Sequence, residues 1–346
     1  MGVKNSRRKI EEVQYIKLNF FRYLFGKPRA LIFEDFPAKV LYTGSGRAAI
    51  RIILEYLTAK GAIANKNAQV LVPQWLCQSV INTMHKFCFP TLTISKDLKG
   101  VMAYHQYGFP QNMDEICSFC DGNKLFLIED CANVYESFYK GRHLGSFGIG
   151  ALFSFSKLFP SMLGGALTTN DYGLYEFGLK SIKDSNKWIS YLTYGGRLVY
   201  ECLKDTSFEG SAIKLQEMMY GVVDYSLNIK NISLRIVSKQ LLNGAMERRK
   251  ENYQFILKYF DDRPEYFNGL EREGVIPYVV PLFDKVENLE KMVKRLRERN
   301  VITDIYHFDV NRNLLNPNFK KCMWTPVHQG IAPDTLEMIC ETIKST

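Results

Sequence analysis

"LIEDCANVYESFYKGRHLGSFGIGALFSFSK", Leu127 to Lys157, decides how the rest of the chain is read. It opens in an apolar run, Lys124 to Asp130, and closes on another, Ala151 to Ser156, each short and bounded by turn-forming residues, as buried strands are. An acid, Asp130, ends the first run, and an amine, Lys157, follows the second 27 residues later. Taken alone, Asp130 reads as a capping or salt-bridged acid and Lys157 as a lysine that snorkels to solvent. Their other readings are chemical. Asp130 is then a fixed negative charge held for a cationic ring, and Lys157 a desolvated amine with a lowered pKa, suited to condensing with an aldehyde.

Outward from this stretch, strand-like runs alternate with helical patterns. The runs are Gln69 to Leu76, Thr91 to Ser95, Val101 to Tyr107, Lys124 to Asp130, Ala151 to Ser156 and Gly165 to Asn170, with helical spacing at Arg47 to Lys60 and Gln78 to Phe87. This order predicts an open, largely parallel α/β sheet, whose ligands gather at the carboxyl ends of its strands. From about Tyr172 to Leu242 the pattern is long, helical and rich in aromatic residues, as in "WISYLTYGGRLVYECL" (Trp188 to Leu203). Core or subunit packing is the expected use of that stripe, ahead of a membrane-surface face. After the charged helix Ala245 to Phe260, a strand (Val275 to Phe283), a helix (Val286 to Asn300), a strand (Val301 to Tyr306) and a helix (Pro333 to Ser345) make a small α+β unit. The expected division is a large domain, 1–245, with an N-terminal extension and a helical insert, and a small C-terminal domain, 246–346.

Hydrophobic residues make up 46% of the 346, enough for a sizeable core. No window reaches the apolar length of a bilayer span, and the start of the chain lacks the apolar stretch of a secretory signal, so a cytoplasmic location is the default expectation. Gly2 and Ser6 satisfy a myristoylation pattern too short to be specific, and Arg7-Arg8-Lys9 reads as a solvated helix start rather than a nucleic-acid arm. Forty-five basic against 36 acidic residues give +9, which favours anionic ligands. Cys88, Cys202, Cys322 and Cys340 lie in apolar surroundings and read as reduced core thiols. Cys117 and Cys120 have no second pair at zinc spacing, so they read as neighbours on one helical turn and no metal is expected.

A third element completes the pattern. "TGSGRAAI", Thr43 to Ile50, is a glycine-serine-glycine turn that opens a helix, where free N–H groups and the positive end of the dipole seat an anion. Alone it reads as a capped helix. Pyridoxal phosphate needs all three elements: an amine for its aldehyde, a carboxylate for its ring nitrogen and an anion seat for its phosphate.

"TGSGRAAI", "VLVPQWLCQSVINTM" (Val70 to Met84), "YHQYGFPQNMDEI" (Tyr104 to Ile116), the opening stretch, "GGALTTND" (Gly164 to Asp171) and "WTPVHQGIAPDTLEMI" (Trp324 to Ile339) together resemble the DegT/DnrJ/EryC1/StrS sugar aminotransferases, fold-type I enzymes that use pyridoxal phosphate. The resemblance runs from about Leu41 to the C-terminus. It implies that Lys157 binds the cofactor covalently, that Asp130 partners the pyridine nitrogen, and that the N–H groups of Gly46 and Arg47 and the Ser154 hydroxyl hold the phosphate. Asn133 falls where the family usually has Gln or His near the phenolic oxygen. Cys77 falls where many members stack an aromatic ring, a face that Trp75 supplies if the loop is shifted.

Three departures mark a branch with a shortened lysine loop: Ser45-Gly46-Arg47 in place of Ser-Gly-Thr, Lys157 three residues after Ser154 rather than five, and Met162-Leu163-Gly164-Gly165 in place of Gly-Glu-Gly-Gly. Asn228 and Asn231 are both candidates for the asparagine that reaches the neighbouring subunit's phosphate. The resemblance implies a homodimer with shared sites, L-glutamate as donor and a keto sugar on a nucleoside diphosphate as acceptor, with Arg47 meeting the diphosphate if its side chain enters the cleft. The rival readings are a pyridoxal-dependent sugar dehydratase or other lyase, whose family members replace this lysine by histidine, and a non-catalytic scaffold.

Overall fold

The computed structural model describes residues 10, 32–203, 206–267, 270 and 273–346; Gly2, Ser6 and Arg7 to Lys9 lie outside them. A seven-stranded sheet forms the centre, in the order β1-β9-β8-β5-β4-β2-β3. Its strands are β1 (Lys39–Thr43), β2 (Gln69–Leu71), β3 (Phe89–Thr91), β4 (Leu98–Tyr104), β5 (Phe126–Cys131), β8 (Gly150–Ser154) and β9 (Gly165–Thr169), with a small hairpin, β6 (Phe138–Tyr139) and β7 (Arg142–His143), between the last parallel pair. The five strands from β3 to β8 pair in parallel, whereas β9 pairs antiparallel with β8 and β1. No crossover helix separates β8 from β9, so the chain can only return alongside. The expected largely parallel α/β sheet is therefore present, with strands shifted by a few residues at their ends.

Helices cover both faces, which is why β4, β5 and β8 are buried almost throughout. Helix α1 (Gly46–Ala59) is capped by Ser45, whose Oγ accepts from Ala48 N, and it buries Ile50, Ile52, Ile53 and Leu54. Next come α2 (Gln78–Met84) and α3 (Met113–Asn123), the latter capped by Asn112 and closed by Lys124 in the left-handed region, φ 55°. Cys117 and Cys120 share one turn of α3, as expected. A single turn, α4 (Phe155–Leu158), follows β8.

The insert forms α5 (Tyr172–Asp184), α6 (Lys187–Leu203), α7 (Glu209–Tyr220) and α8 (Asn231–Leu242). Its aromatic stripe is not core packing within the chain, because Trp188, Tyr191 and Phe208 are exposed. Cys202 on α6 is exposed too, which corrects the expectation of a core thiol; α6 buries only Ser190, Thr193 and Gly196. Burial pushes the Cys88, Cys322 and Cys340 thiols up to about 12, as suits inert core residues.

Helix α9 (Ala245–Tyr259) packs Ala245 and Met246 with the large sheet's core and Tyr253 and Ile256 with a second core. That core lies on an antiparallel sheet, β10 (Val279–Leu282), β12 (Phe319–Pro326) and β11 (Ile305–Asp309), with β12 in the middle. Helix α10 (Val286–Glu298) buries Leu289, Met292, Val293 and Leu296, one stripe at helical spacing, and α11 (Pro333–Lys344) closes the unit. The strand expected at Val301 to Tyr306 forms four residues later, and the central β12 is absent from the sequence reading.

Behind the sheet, Glu129 is fully buried and accepts from the N–H groups of Gly145, Phe147 and Gly148. His105 Nδ1 accepts from Gln111 N, which leaves Nε2 to donate to Glu129 at 3.1 Å. Glu129 thereby fastens the β7–β8 loop to the strand that carries Asp130. Replacing Glu129 by Ala strands three backbone donors and a histidine, and chemical denaturation is expected to show a loss of at least about 3 kcal/mol.

Candidate active site

Register along the sheet brings the site together. Asp130 on β5 lies beside Tyr104 on β4 and Leu152 on β8, and β8 ends two residues later at Ser154. Asp130 is 2% exposed, and its Oδ1 accepts from Ala132 N at 2.9 Å. Burial raises its pKa to about 6, with the Ala132 N–H and the charge of Lys157 pulling the other way.

Lys157 itself is not a desolvated residue at a strand end. It sits exposed on α4, because the chain turns helical directly after Ser154, and its Nζ lies 5.9 Å from the centre of the Tyr278 ring. The next residue is gripped: the Leu158 carbonyl accepts from Gln329 Nε2 at 2.9 Å and lies 3.5 Å from the Arg249 guanidinium. Arg249 is wholly buried and also donates to the carbonyls of Pro277 and Tyr278 and to Gln329. Burial lowers its pKa to about 10. Sequence reasoning missed Arg249, which carries no signal apart from sitting in a charged helix.

The Gly-Ser-Gly turn opens a helix capped by Ser45. Ser45 satisfies Ala48 N through its side chain and Ala49 N through its carbonyl, so the N–H groups of Gly46 and Arg47 are the first-turn donors left over. A Cβ on Gly46 would stand 3.2 Å from the Phe153 carbonyl and 3.4 Å from Ser154 Cβ, so the helix start abuts the end of β8. The Ser154 hydroxyl caps nothing. At Gly165 a Cβ would fall 2.6 Å from Gly46 N and 2.4 Å from the Phe153 carbonyl, which requires glycine there.

The Arg47 side chain is committed elsewhere. It donates to the Tyr220 carbonyl at 2.7 Å and lies 5.0 Å from the centre of that ring, so the guanidinium is held by the insert and is not offered to a diphosphate. The same segment latches onto α1 throughout. Gly44 N donates to the Leu227 carbonyl, Ser45 Oγ lies 3.3 Å from the Val223 carbonyl, and Lys86 pairs with buried Asp224 at 2.6 Å. Nothing in the sequence pattern signals these contacts, which join segments from 138 to more than 178 residues apart.

Of the remaining predicted residues, Cys77 is exposed at the start of α2, its Sγ 3.2 Å from Ser79 Oγ. Trp75 is not a substitute ring face: it stacks on His307 of β11, centroids 4.3 Å apart and 2° from parallel. Asn133 is buried and its Oδ1 accepts from Tyr104 Oη at 2.6 Å, a partner that sequence reasoning missed. Asn228 bonds within the chain, to Ser185 and the Ile182 carbonyl, while Asn231 is exposed at the start of α8. His105, Glu129 and Cys131 are close enough to hold a metal ion, yet both nitrogens of His105 and both oxygens of Glu129 are already in hydrogen bonds.

These residues fit pyridoxal phosphate: leftover helix donors and a hydroxyl for the phosphate, a buried acid with one oxygen to spare, and an accessible amine. The raised pKa of Asp130 has a definite sign in the cofactor-free protein. Folding favours its protonated form, so that contribution is complete below the ordinary value of 3.8 and is lost as the pH rises through about 6. Relative to Asp130→Asn, the wild-type protein is expected to lose about 3 kcal/mol across that window, read from urea denaturation between pH 4 and 7.5.

Comparison with known proteins places the chain in a family. The GDP-perosamine synthase of Vibrio cholerae is 38% identical over 272 residues, 73% of this chain and 67% of that protein. That of Escherichia coli O157:H7 is 40% identical over 85 residues, 24% of this chain and 23% of that protein. Against four curated relatives the chain spans only 21% to 57% of the relative's own length. Among solved structures, the E. coli GDP-4-keto-6-deoxy-D-mannose-3-dehydratase with bound hydrated PLP superposes with a TM-score of 0.64 at 17% identity, covering 94% of this chain and 91% of that one, which shows a shared fold. Residues 91–344 match the family pattern into which the strand-end acid, the following lysine and the C-terminal unit all fall. The chain belongs to the DegT/DnrJ/EryC1/StrS aminotransferase family.

Proposed function

We propose that this chain is a pyridoxal-phosphate-dependent aminotransferase that moves an amino group from L-glutamate to a keto sugar carried on a nucleoside diphosphate, for surface polysaccharide or other amino-sugar biosynthesis. The observation that carries the reading is the convergence of Asp130, Lys157 and the start of α1 at neighbouring strand ends. The cofactor, when bound, supplies an aldehyde for covalent capture of an amine and a ring that accepts an electron pair. Lys157 Nζ would hold the cofactor and, once the donor's amine has taken its place, would serve as the base that takes the proton from the donor's α-carbon and returns it to the cofactor's C4′ carbon. Asp130 keeps a proton on the ring nitrogen; facing that cation, its carboxyl ionises despite burial. The N–H groups of Gly46 and Arg47 and the Ser154 hydroxyl would hold the phosphate, Asn133 would serve the phenolic oxygen, and Cys77 would pack on the ring.

The +9 charge favours an anionic sugar nucleotide. A lysine at position 157, where dehydrating relatives are expected to carry histidine, supports transamination over the lyase reading. A homodimer belongs to the same proposal, supported by the exposed apolar side chains of α6 and α7, and so does the division into 1–245 and 246–346, supported by the separate sheet and core of the C-terminal unit. Eight free thiols suit the cytoplasmic location proposed with it. No helix among the described residues is long and apolar enough to cross a membrane.

The purified protein is expected to be yellow, to acquire the cofactor's mass on Lys157 after borohydride, and to lose its colour with L-glutamate; Lys157→Ala abolishes all three. Asp130→Ala is expected to lower turnover at least ~100-fold. Colour without a response to glutamate points to the lyase, and no colour to a scaffold.

A further inference from the structure

We propose that Tyr104 is a positioning residue that fixes the carboxamide of Asn133 with its N–H groups available to the cofactor's phenolic oxygen, an inference that rests on the cofactor reading above. Tyr104 ends β4 directly beside Asp130. Its hydroxyl and Asn133 Oδ1 are 2.6 Å apart, and Asn133 is 4% exposed. A carboxamide has one accepting and one donating end, and a phenol that keeps its proton donates. Burial, and after it the neighbouring Asp130 carboxyl, push the Tyr104 pKa well above the ordinary value against the pull of the Tyr107 N–H, so the proton stays in place across working pH. Oδ1 is therefore drawn to Tyr104, and Nδ2, which has no hydrogen-bond partner among the described residues, keeps both hydrogens for a ligand.

The orientation matters because an asparagine, unlike a lysine, presents an acceptor as readily as a donor. Turned the wrong way, Oδ1 would face an oxygen that carries negative charge. A donor aimed at the phenolic oxygen stabilises its anionic form and lowers the pH at which the lysine-bound cofactor releases its proton. Tyr104 acts through Asn133 and touches no reacting atom.

The test is the pH titration of the visible absorbance of the lysine-bound cofactor. Tyr104→Phe keeps the ring and is expected to move the midpoint upward by about one unit. Asn133→Ala moves it the same way, and Tyr104→Phe added to Asn133→Ala moves it no further. Asn133→Asp, which keeps the acceptor for Tyr104 and removes the donor, raises the midpoint with Tyr104 intact, so the idea stays testable if Tyr104→Phe does not fold. An unmoved midpoint in folded Tyr104→Phe or in Asn133→Asp overturns the proposal. So does a full Tyr104→Phe shift in the Asn133→Ala background, which would mean that the tyrosine acts on the cofactor directly. If the wild-type protein shows no absorbance that borohydride fixes to Lys157, the cofactor reading itself fails.

Discussion

A carboxylate kept out of water with a single hydrogen bond of its own is the constraint on which the site depends. Removing an acid from water costs several kcal/mol unless charge or hydrogen bonds offset it. Asp130 receives one backbone donor and the more distant charge of Lys157, too little to keep its pKa in the ordinary range. The sheet imposes the burial, since β4 and β8 flank β5 and helices cover both faces. A cation placed against the spare oxygen would relieve the cost, and a protonated ring nitrogen is such a cation.

The residue before it shows what a structural acid looks like in the same strand. Glu129 points to the opposite side, as alternation along a strand requires, and takes three backbone N–H groups and a histidine. Two adjacent buried acids thus have opposite hydrogen-bond inventories. One is saturated and fastens a loop, while the other is left short, as expected of a group reserved for a ligand.

Much of this was legible in the sequence because the parallel strands are buried on both faces and read as continuous apolar runs. The acid at the end of β5, the Gly-Ser-Gly turn opening α1 and the lysine after β8 follow from that pattern and from the family resemblance. The exposure of Lys157 was not legible, since strand and helical turn share one apolar run there. The failure at Trp75 and at the Arg47 side chain has another cause: their partners, His307 and Tyr220, lie far away in sequence, and local pattern carries no record of them. The same holds for Tyr104, which reads as one more strand residue until its hydroxyl is seen against Asn133. Strand β12 was missed because charged Lys320 and Lys321 interrupt its first half, the part that faces solvent.

The latch between the insert and α1 ties two distant stretches of chain to one thermodynamic balance. Gly44 passes so close to the insert that a Cβ there would lie 2.0 Å from the Ser226 carbonyl, and the helix turn it precedes is the one that would carry the phosphate. A ligand gripped by that turn in its docked form also favours the docked insert, by mass action. Vitamin supply would then govern how long these four helices escape proteases, making cofactor saturation a determinant of the protein's lifetime as well as its turnover.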